Sequence, residues 1–382
     1  MKKVLLASAA LLAFGAAAHA QSSVTLFGRL DAGLEYMSGV PTGTGPNGAA
    51  TGSTHRFRAE SGDWGTSLWG LKGVEDLGGG NRAVFHLEGS FNTMNGQGPG
   101  NNGLFNRWAT VGVENDKFGT FLLGRELFIS NGVWDFDPFG QSNWSSASLV
   151  RGRNWPQSSN NISYQSPKAA GFDFYGQYAL SNATSWNGNG STAQGREAGA
   201  QITYTAPYFQ VRGIYDEIRN PNDGTLGGAY VPVNKANGNG AYAYSREYTA
   251  MFNVFLGQFK LQGGYQAIRT AGMANLLPGQ PSTLDHEWGG VTWQATPAAA
   301  LIGAVYHVNG NNGAGNATIY SVGGSYNLSK RTLLDLQVAT VRNSKSANYG
   351  LNANDAGTSA ATDNPLVGRS QSGVYAGIQH SF

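Results

Sequence analysis

Val24-Thr25-Leu26-Phe27-Gly28-Arg29-Leu30-Asp31-Ala32-Gly33-Leu34-Glu35-Tyr36 alternates residue by residue. Val24, Leu26, Gly28, Leu30, Ala32, Leu34 and Tyr36 fall on one face, and Thr25, Phe27, Arg29, Asp31, Gly33 and Glu35 on the other, the period of a two-faced β-strand. A strand of about thirteen residues is longer than soluble sheets usually need and suits a tilted membrane crossing.

The pattern recurs along the chain. Ala83, Phe85, Leu87, Gly89 and Phe91 oppose Arg82, Val84, His86, Glu88 and Ser90. Phe172, Phe174, Gly176 and Tyr178 oppose Asp173, Tyr175 and Gln177. Ala198 to Tyr204 and Leu334 to Val338 repeat the parity, with Gln201, Thr203, Asp335 and Gln337 on the polar side. Short connections (Glu75 to Gly80, Asn115 to Lys117, Pro167 to Ala170, Ala206-Pro207, Gly257-Gln258, Thr296 to Ala298, Leu328 to Thr332) alternate with long ones rich in Gly, Asn, Ser and Thr. The long set is Ser38 to Thr54, Asn92 to Gly103, Leu127 to Ser159, Ser181 to Gly195, Arg219 to Ser245, Thr270 to Asp285, Asn309 to Asn316 and Arg342 to Ser370. The alternation predicts an all-β fold, a transmembrane antiparallel β-barrel of about 16 strands with both termini on the short-turn side. Hydrocarbon offers no hydrogen bonds to an exposed backbone, so strands cross it only in a sheet closed on itself. At that strand number the lumen is too wide for side chains to fill and holds water.

Composition agrees. Of 382 residues only 13% are charged, while 56 are glycine and 12% aromatic, unlike an ordinary soluble enzyme. A mean hydropathy of -0.30 and the lack of a second long apolar run argue against membrane helices. Cysteine is absent, which removes disulfides and thiolate sites. Lys2 and Lys3, an apolar run from Val4 to Ala17 and then Ala18-His19-Ala20 predict a signal peptide over residues 1–20, leaving one barrel domain over 21–382. Its removal brings the basic count down to the acidic count of 23. No clustered basic surface points to nucleic acid.

Four segments carry a family resemblance: Val24 to Gly33; Trp69-Gly70-Leu71-Lys72-Gly73 running into Glu75-Asp76-Leu77-Gly78-Gly79-Gly80; Leu328-Ser329-Lys330-Arg331-Thr332; and the terminal His380-Ser381-Phe382. Together they resemble the trimeric general diffusion porins of Gram-negative bacteria, especially the beta-proteobacterial type. The resemblance implies a homotrimer in the cell outer membrane, in contact with its lipid and lipopolysaccharide, passing small hydrophilic solutes and ions without a cofactor. It also implies a third long loop, here Leu127 to Ser159, folded into the barrel. Within it Asp135-Phe136-Asp137-Pro138-Phe139-Gly140 resembles the acidic segment of the family's constriction loop, so Asp135 and Asp137 are expected to face the pore; as a local reading, Asp before Pro equally favours a turn. Basic partners across the eyelet are expected from Arg107, Arg151 and Arg153, with Arg125 and Arg58 as further candidates; rim arginines meeting lipopolysaccharide are the alternative. Many relatives have Arg where this chain has Leu68, which removes one expected wall charge and leaves the sign of ion preference open.

Trp134, Trp144 and Trp155 of the same loop are possible solute contacts, or else they pack the loop against the wall with Phe128, Phe136 and Phe139. Tyr36, Trp69, Tyr164, Tyr178, Tyr204, Tyr248, Tyr265, Tyr326 and Tyr375 are expected in the interfacial aromatic girdles. Catalytic and metal motifs do not hold up. Gly43 to Gly48 matches Gly-x-Gly-x-x-Gly only with a proline inside it and no following helix, and His55, His86, His286, His307 and His380 lack metal spacing. A substrate-specific channel, a barrel enzyme or adhesin, and a secreted β-sandwich remain as rival readings.

Overall fold

The computed structural model describes residues 23–43, 45, 51–98, 103–150, 153–154, 157–179, 196–219, 244–271, 281–352 and 363–382. Its strands are β1 (Ser23–Thr42), β2 (Gly52–Glu60), β3 (Leu68–Gly78), β4 (Asn81–Ser90), β5 (Trp108–Asn115), β6 (Gly119–Leu127), β7 (Gln157–Gln165), β8 (Phe172–Ala179), β9 (Arg196–Thr205), β10 (Phe209–Arg219), β11 (Tyr244–Leu256), β12 (Phe259–Ala271), β13 (Thr283–Gln294), β14 (Ala299–Gly310), β15 (Gly315–Asn327), β16 (Thr332–Asn343) and β17 (Gln371–Ser381). All neighbouring pairs are antiparallel, and β1 pairs with β17 to close the sheet. β1 pairs with β2 through Gly33 to Thr42 and with β3 through Ser23 to Arg29. These two segments are therefore one barrel strand interrupted at residues 61–67, and the barrel has sixteen strands. Gly28 and Phe382 exchange both backbone hydrogen bonds at 3.0 Å, so the last residue takes part in closure.

Alternation decides which face meets what. Leu26, Leu34, Phe57, Val111, Ile202, Leu301, Val322 and Leu336 are exposed outside, whereas Asp31, Glu35, Gln201, Asp216, Gln266, His286 and Gln337 are buried inside. Each of the seven short connections lies at a junction between strands, although residues 75–78 of the first belong to β3 and only 79–80 turn, and the register places both termini beside them. Two expectations need correction. The connection from Asn309 to Asn316 is short, because β14 and β15 pair as far as Gly310 opposite Gly315. Tyr375 is not a girdle residue: its parity puts it on the inner face, where it is buried and donates to Asp31 Oδ1 at 3.0 Å. Tyr36, Tyr164, Tyr178, Tyr248, Tyr265 and Tyr326 are exposed on the outside.

Candidate functional site: the lumen wall and the segment from Phe128 to Val150

Between β6 and β7 the chain forms a 3-10 helix, Ile129–Phe136, and a one-turn helix α1, Ser146–Leu149. Its contacts follow the inner face strand by strand. An added Cβ on Gly199 of β9 would strike Ile129, so that glycine makes room for the helix. On β10, Arg212 Nη1 donates to the Gly132 carbonyl at 2.8 Å and to Asp135 Oδ2 at 2.7 Å. Asn253 of β11 and Gln262 of β12 donate to the Asp135 carbonyl at 3.1 and 3.2 Å. Trp288 of β13 donates through Nε1 to the Phe136 carbonyl at 3.0 Å. Pro138 lies over Gly290 of β13 and Phe139 over Gly323 of β15. Gln337 of β16 donates to the Trp144 carbonyl at 3.2 Å, and the Trp144 ring fills the space above Gly373 of β17. Buried Phe128, Ile129, Val133, Phe136, Phe139 and Leu149 form the apolar underside that holds the segment down.

Most of the candidate residues have different neighbours from those expected. Asp135 is 63% exposed at its side chain and ion-paired to Arg212. Asp137 does not face open water. Its Oδ1 accepts from the Tyr306 hydroxyl at 2.7 Å and the Phe139 amide at 2.8 Å, and its Oδ2 from the Ser146 amide at 3.1 Å. The segment turns sharply after Pro138 and exposes amides there, and a buried carboxylate is what satisfies them. Burial nevertheless pushes the Asp137 carboxyl above its ordinary range, against these hydrogen bonds. Arg153 is also removed from the lumen surface. It is fully buried in ion pairs with Asp216 and Glu247, which tie the end of the segment to β10 and β11. Trp144 is buried too, its indole donating to Asn352 Oδ1 at 3.1 Å and its amide to the Leu351 carbonyl at 3.0 Å, so no solute reaches its face.

Arg125 sits at a bulge in β6 and donates to the Asn106 carbonyl and Ser159 Oγ. Arg58 and Arg56 converge on buried Glu35, with Glu60 and Asp363 around them. Arg151 and Trp155 lie outside the described residues.

Arg107 is buried and ion-paired to Glu88. With Arg29, Trp64, Trp134, Gln141 and Asn143 it lines a cavity of about 340 Å³ between the wall and the segment. Its guanidinium is 5.8 Å from the Trp134 ring centroid, and its Nε donates to Glu88 at 2.6 Å. Arg29, Arg212 and Lys260 were missed as site residues. Arg212 and Lys260 belong to no motif and Arg29 only to the first family-like segment, but strand parity alone puts each on the inner face, and parity is the signal that finds them.

A sixteen-stranded closed barrel with an apolar outside, a polar inside and a long segment lying on its inner-face residues narrows the choice of family. Residues 7–347 match the family model described as Gram-negative porin. The chain is a Gram-negative porin. It is 30% identical to outer membrane porin protein 32 of Delftia acidovorans over 100% of both chains. It is also 32% identical to an outer membrane porin protein of Bordetella pertussis, over 60% of this chain and 66% of that one. Among solved structures, the anion-selective porin from Comamonas acidovorans superimposes with a TM-score of 0.74 at 24% identity, covering 95% of this porin and 100% of that chain. OmpT of Vibrio cholerae shares the fold at a TM-score of 0.65 and 13% identity, over 94% and 98% of the two chains. The porin resides in the outer membrane and forms a general diffusion channel for small hydrophilic solutes and ions.

Proposed function

We propose that the segment from Phe128 to Val150 lies across the lumen as the constriction, and that the passage beside it favours anions. The observation that carries this is the cavity lined by Arg29 and Arg107 and by no carboxylate: Arg107 is matched by Glu88, whereas Arg29, whose Nε donates to the Thr66 carbonyl at 2.9 Å, is in no ion pair among the described residues and leaves the lining net positive. Fixed charges lining a narrow passage select ions by Coulomb energy, strongest where water is scarce. The similarly folded porin from Comamonas acidovorans is anion-selective. Replacing Arg29 and Arg107 together by Gln tests this: the reversal potential under a salt gradient moves toward cations, and an unchanged potential rejects the assignment.

In this reading residues 1–20 are removed on export, three copies assemble side by side, lipopolysaccharide covers the outer rim, and no reaction is catalysed. A second reading, a channel specific for one aromatic or sugar solute, is favoured by one feature. The Trp134 ring borders the same cavity beneath Arg107, and its indole N–H has no protein acceptor among the described residues. Block of ionic current by one solute and by none of its close analogues decides for that reading.

A further inference from the structure

At the seam of the barrel, next to the Arg29 end of the cavity just described, Tyr375 lies flat along the inner wall. It does so because two inner-face neighbours are glycines. A Cβ on Gly33 would stand 2.6 Å from the Tyr375 hydroxyl, and one on Gly377 would stand 2.8 Å from it. The hydroxyl so placed donates to Asp31 Oδ1 at 3.0 Å, and the Gln379 amide donates to Asp31 Oδ2 at 3.0 Å. On the other side of the ring is Asp335 of β16, whose register partner is Gly377. The same notional Cβ on Gly377 is 2.9 Å from Asp335 Oδ1, so that oxygen and the phenol share one slot.

Asp335 is only 5% exposed, and neither of its carboxylate oxygens has a hydrogen-bond partner among the described residues. Asp31 is fully buried and lies within electrostatic reach both of it and of Arg29, so the group left without a counter-charge is Asp335. Asp63, from the interruption between β2 and β3, is buried near the same phenol with Oδ2 unpartnered. A phenol has one proton to give, and it goes to Asp31. Buried carboxylates without donors are stabilised by a counter-charge. No three acidic or histidine side chains among the described residues are gathered as a metal-binding group, so the pair and its neighbouring oxygens carry the argument.

We propose that Asp31 and Asp335, with the Tyr375 hydroxyl between them, hold a divalent cation of the calcium type on the inner wall where β16, β17 and β1 meet. Hard divalent cations take oxygen ligands from carboxylates, neutral oxygens and water in flexible geometry, which is the donor set gathered here. The ion bridges β16 to β1 across β17, pinning the seam that closes the barrel.

The test uses the folded, detergent-solubilised porin stripped of ions by chelator and titrated with calcium chloride by calorimetry. The wild-type chain is expected to bind one calcium more than Asp335→Asn, or to bind it with an affinity higher by more than the roughly 100-fold that outer-shell changes cost at most. Asp135→Asn, distant in the lumen, retains that site. Identical calcium binding by wild type and Asp335→Asn overturns the proposal and leaves a shared proton as the counter-charge. Should Asp335→Asn fail to fold, crystals of the wild-type porin soaked in manganese chloride decide: an anomalous peak between Asp31 and Asp335 upholds the site, and none there rejects it.

Discussion

The Tyr306 hydroxyl, on the inner face of β14, donates to Asp137 Oδ1 at 2.7 Å, joining the wall to the chain 169 positions earlier. Asp137 collects two backbone amides besides, so this contact fixes the turn around Pro138 as well as its position. Tyr306→Phe removes the donor and leaves a buried carboxylate short of one hydrogen bond, a cost of about 1–3 kcal/mol. We expect unchanged ion preference with noisier single-channel current, because the segment is held less firmly. A quiet recording like wild type contradicts the pinning role.

Asp135 and Asp137 are expected to separate in function although only Phe136 stands between them. Asp135→Asn removes an exposed carboxylate and frees the charge of Arg212, so the reversal potential shifts toward anions. Asp137→Asn leaves the potential where it was, since its carboxylate is enclosed. Equal shifts from the two single variants contradict the burial of Asp137.

The same burial gives a pH signature. The folded Asp137 carboxyl is raised by desolvation, so the native state holds its proton more tightly than the unfolded chain does. Stability contributed through this group therefore rises as pH falls from neutrality toward roughly 4, and is lost as pH climbs through the folded value. Denaturant midpoints measured over that window are expected to rise less on acidification in Asp137→Asn than in wild type. Parallel pH profiles rule the effect out.

Asp363 carries the opposite sign. Burial alone raises its carboxyl, but hydrogen bonds from Arg56 and the charges of Arg56 and Arg58 outweigh it and hold the group below its usual range. This latch at the mouth is present above the ordinary carboxylate pKa of about 4 and is lost as pH falls through the lower folded value. Asp363→Asn should increase protease cleavage around residues 344–352 and 363–370 at neutral pH, while wild type resists there until strongly acid pH. Equal cleavage at neutral pH contradicts the latch.

Trp144 tests how the segment is held from above. Its ring is buried over Gly373 and its indole is tied to Asn352. Trp144→Ala is expected to cost about 3–5 kcal/mol of local stability, the range for emptying a buried aromatic site. Hydrogen exchange at Ser146 to Leu149 should speed up with the barrel strands unaffected; unchanged exchange there contradicts the anchoring.

Strand parity made most of the barrel legible, because each strand faces lipid on one side and water or the packed segment on the other. Leu68 was legible as a wall residue only through the family resemblance, and the structure buries it. Where two strands continue past the expected loop, as at Gly310 and Gly315, polar composition misled, since hairpin ends above the hydrocarbon carry the same residues as loops. The interruption at residues 61–67 has no period to announce it. Site residues were read less well for a different reason. A carboxylate or guanidinium in a long loop has the same local sequence whether it faces water, as Asp135 does, or is enclosed, as Asp137 and Arg153 are. The deciding partners, Tyr306, Asp216 and Glu247, lie on strands far along the chain. Asp31 and Asp335 likewise come from opposite ends of the sequence and meet only when the barrel closes.

The most direct measurement is the reversal potential of the purified, detergent-extracted porin in a planar bilayer under a potassium chloride gradient. A potential of the sign set by chloride, through an open channel that small sugars do not block, is the predicted result. A potential set by potassium, or silence from correctly folded protein, contradicts the account.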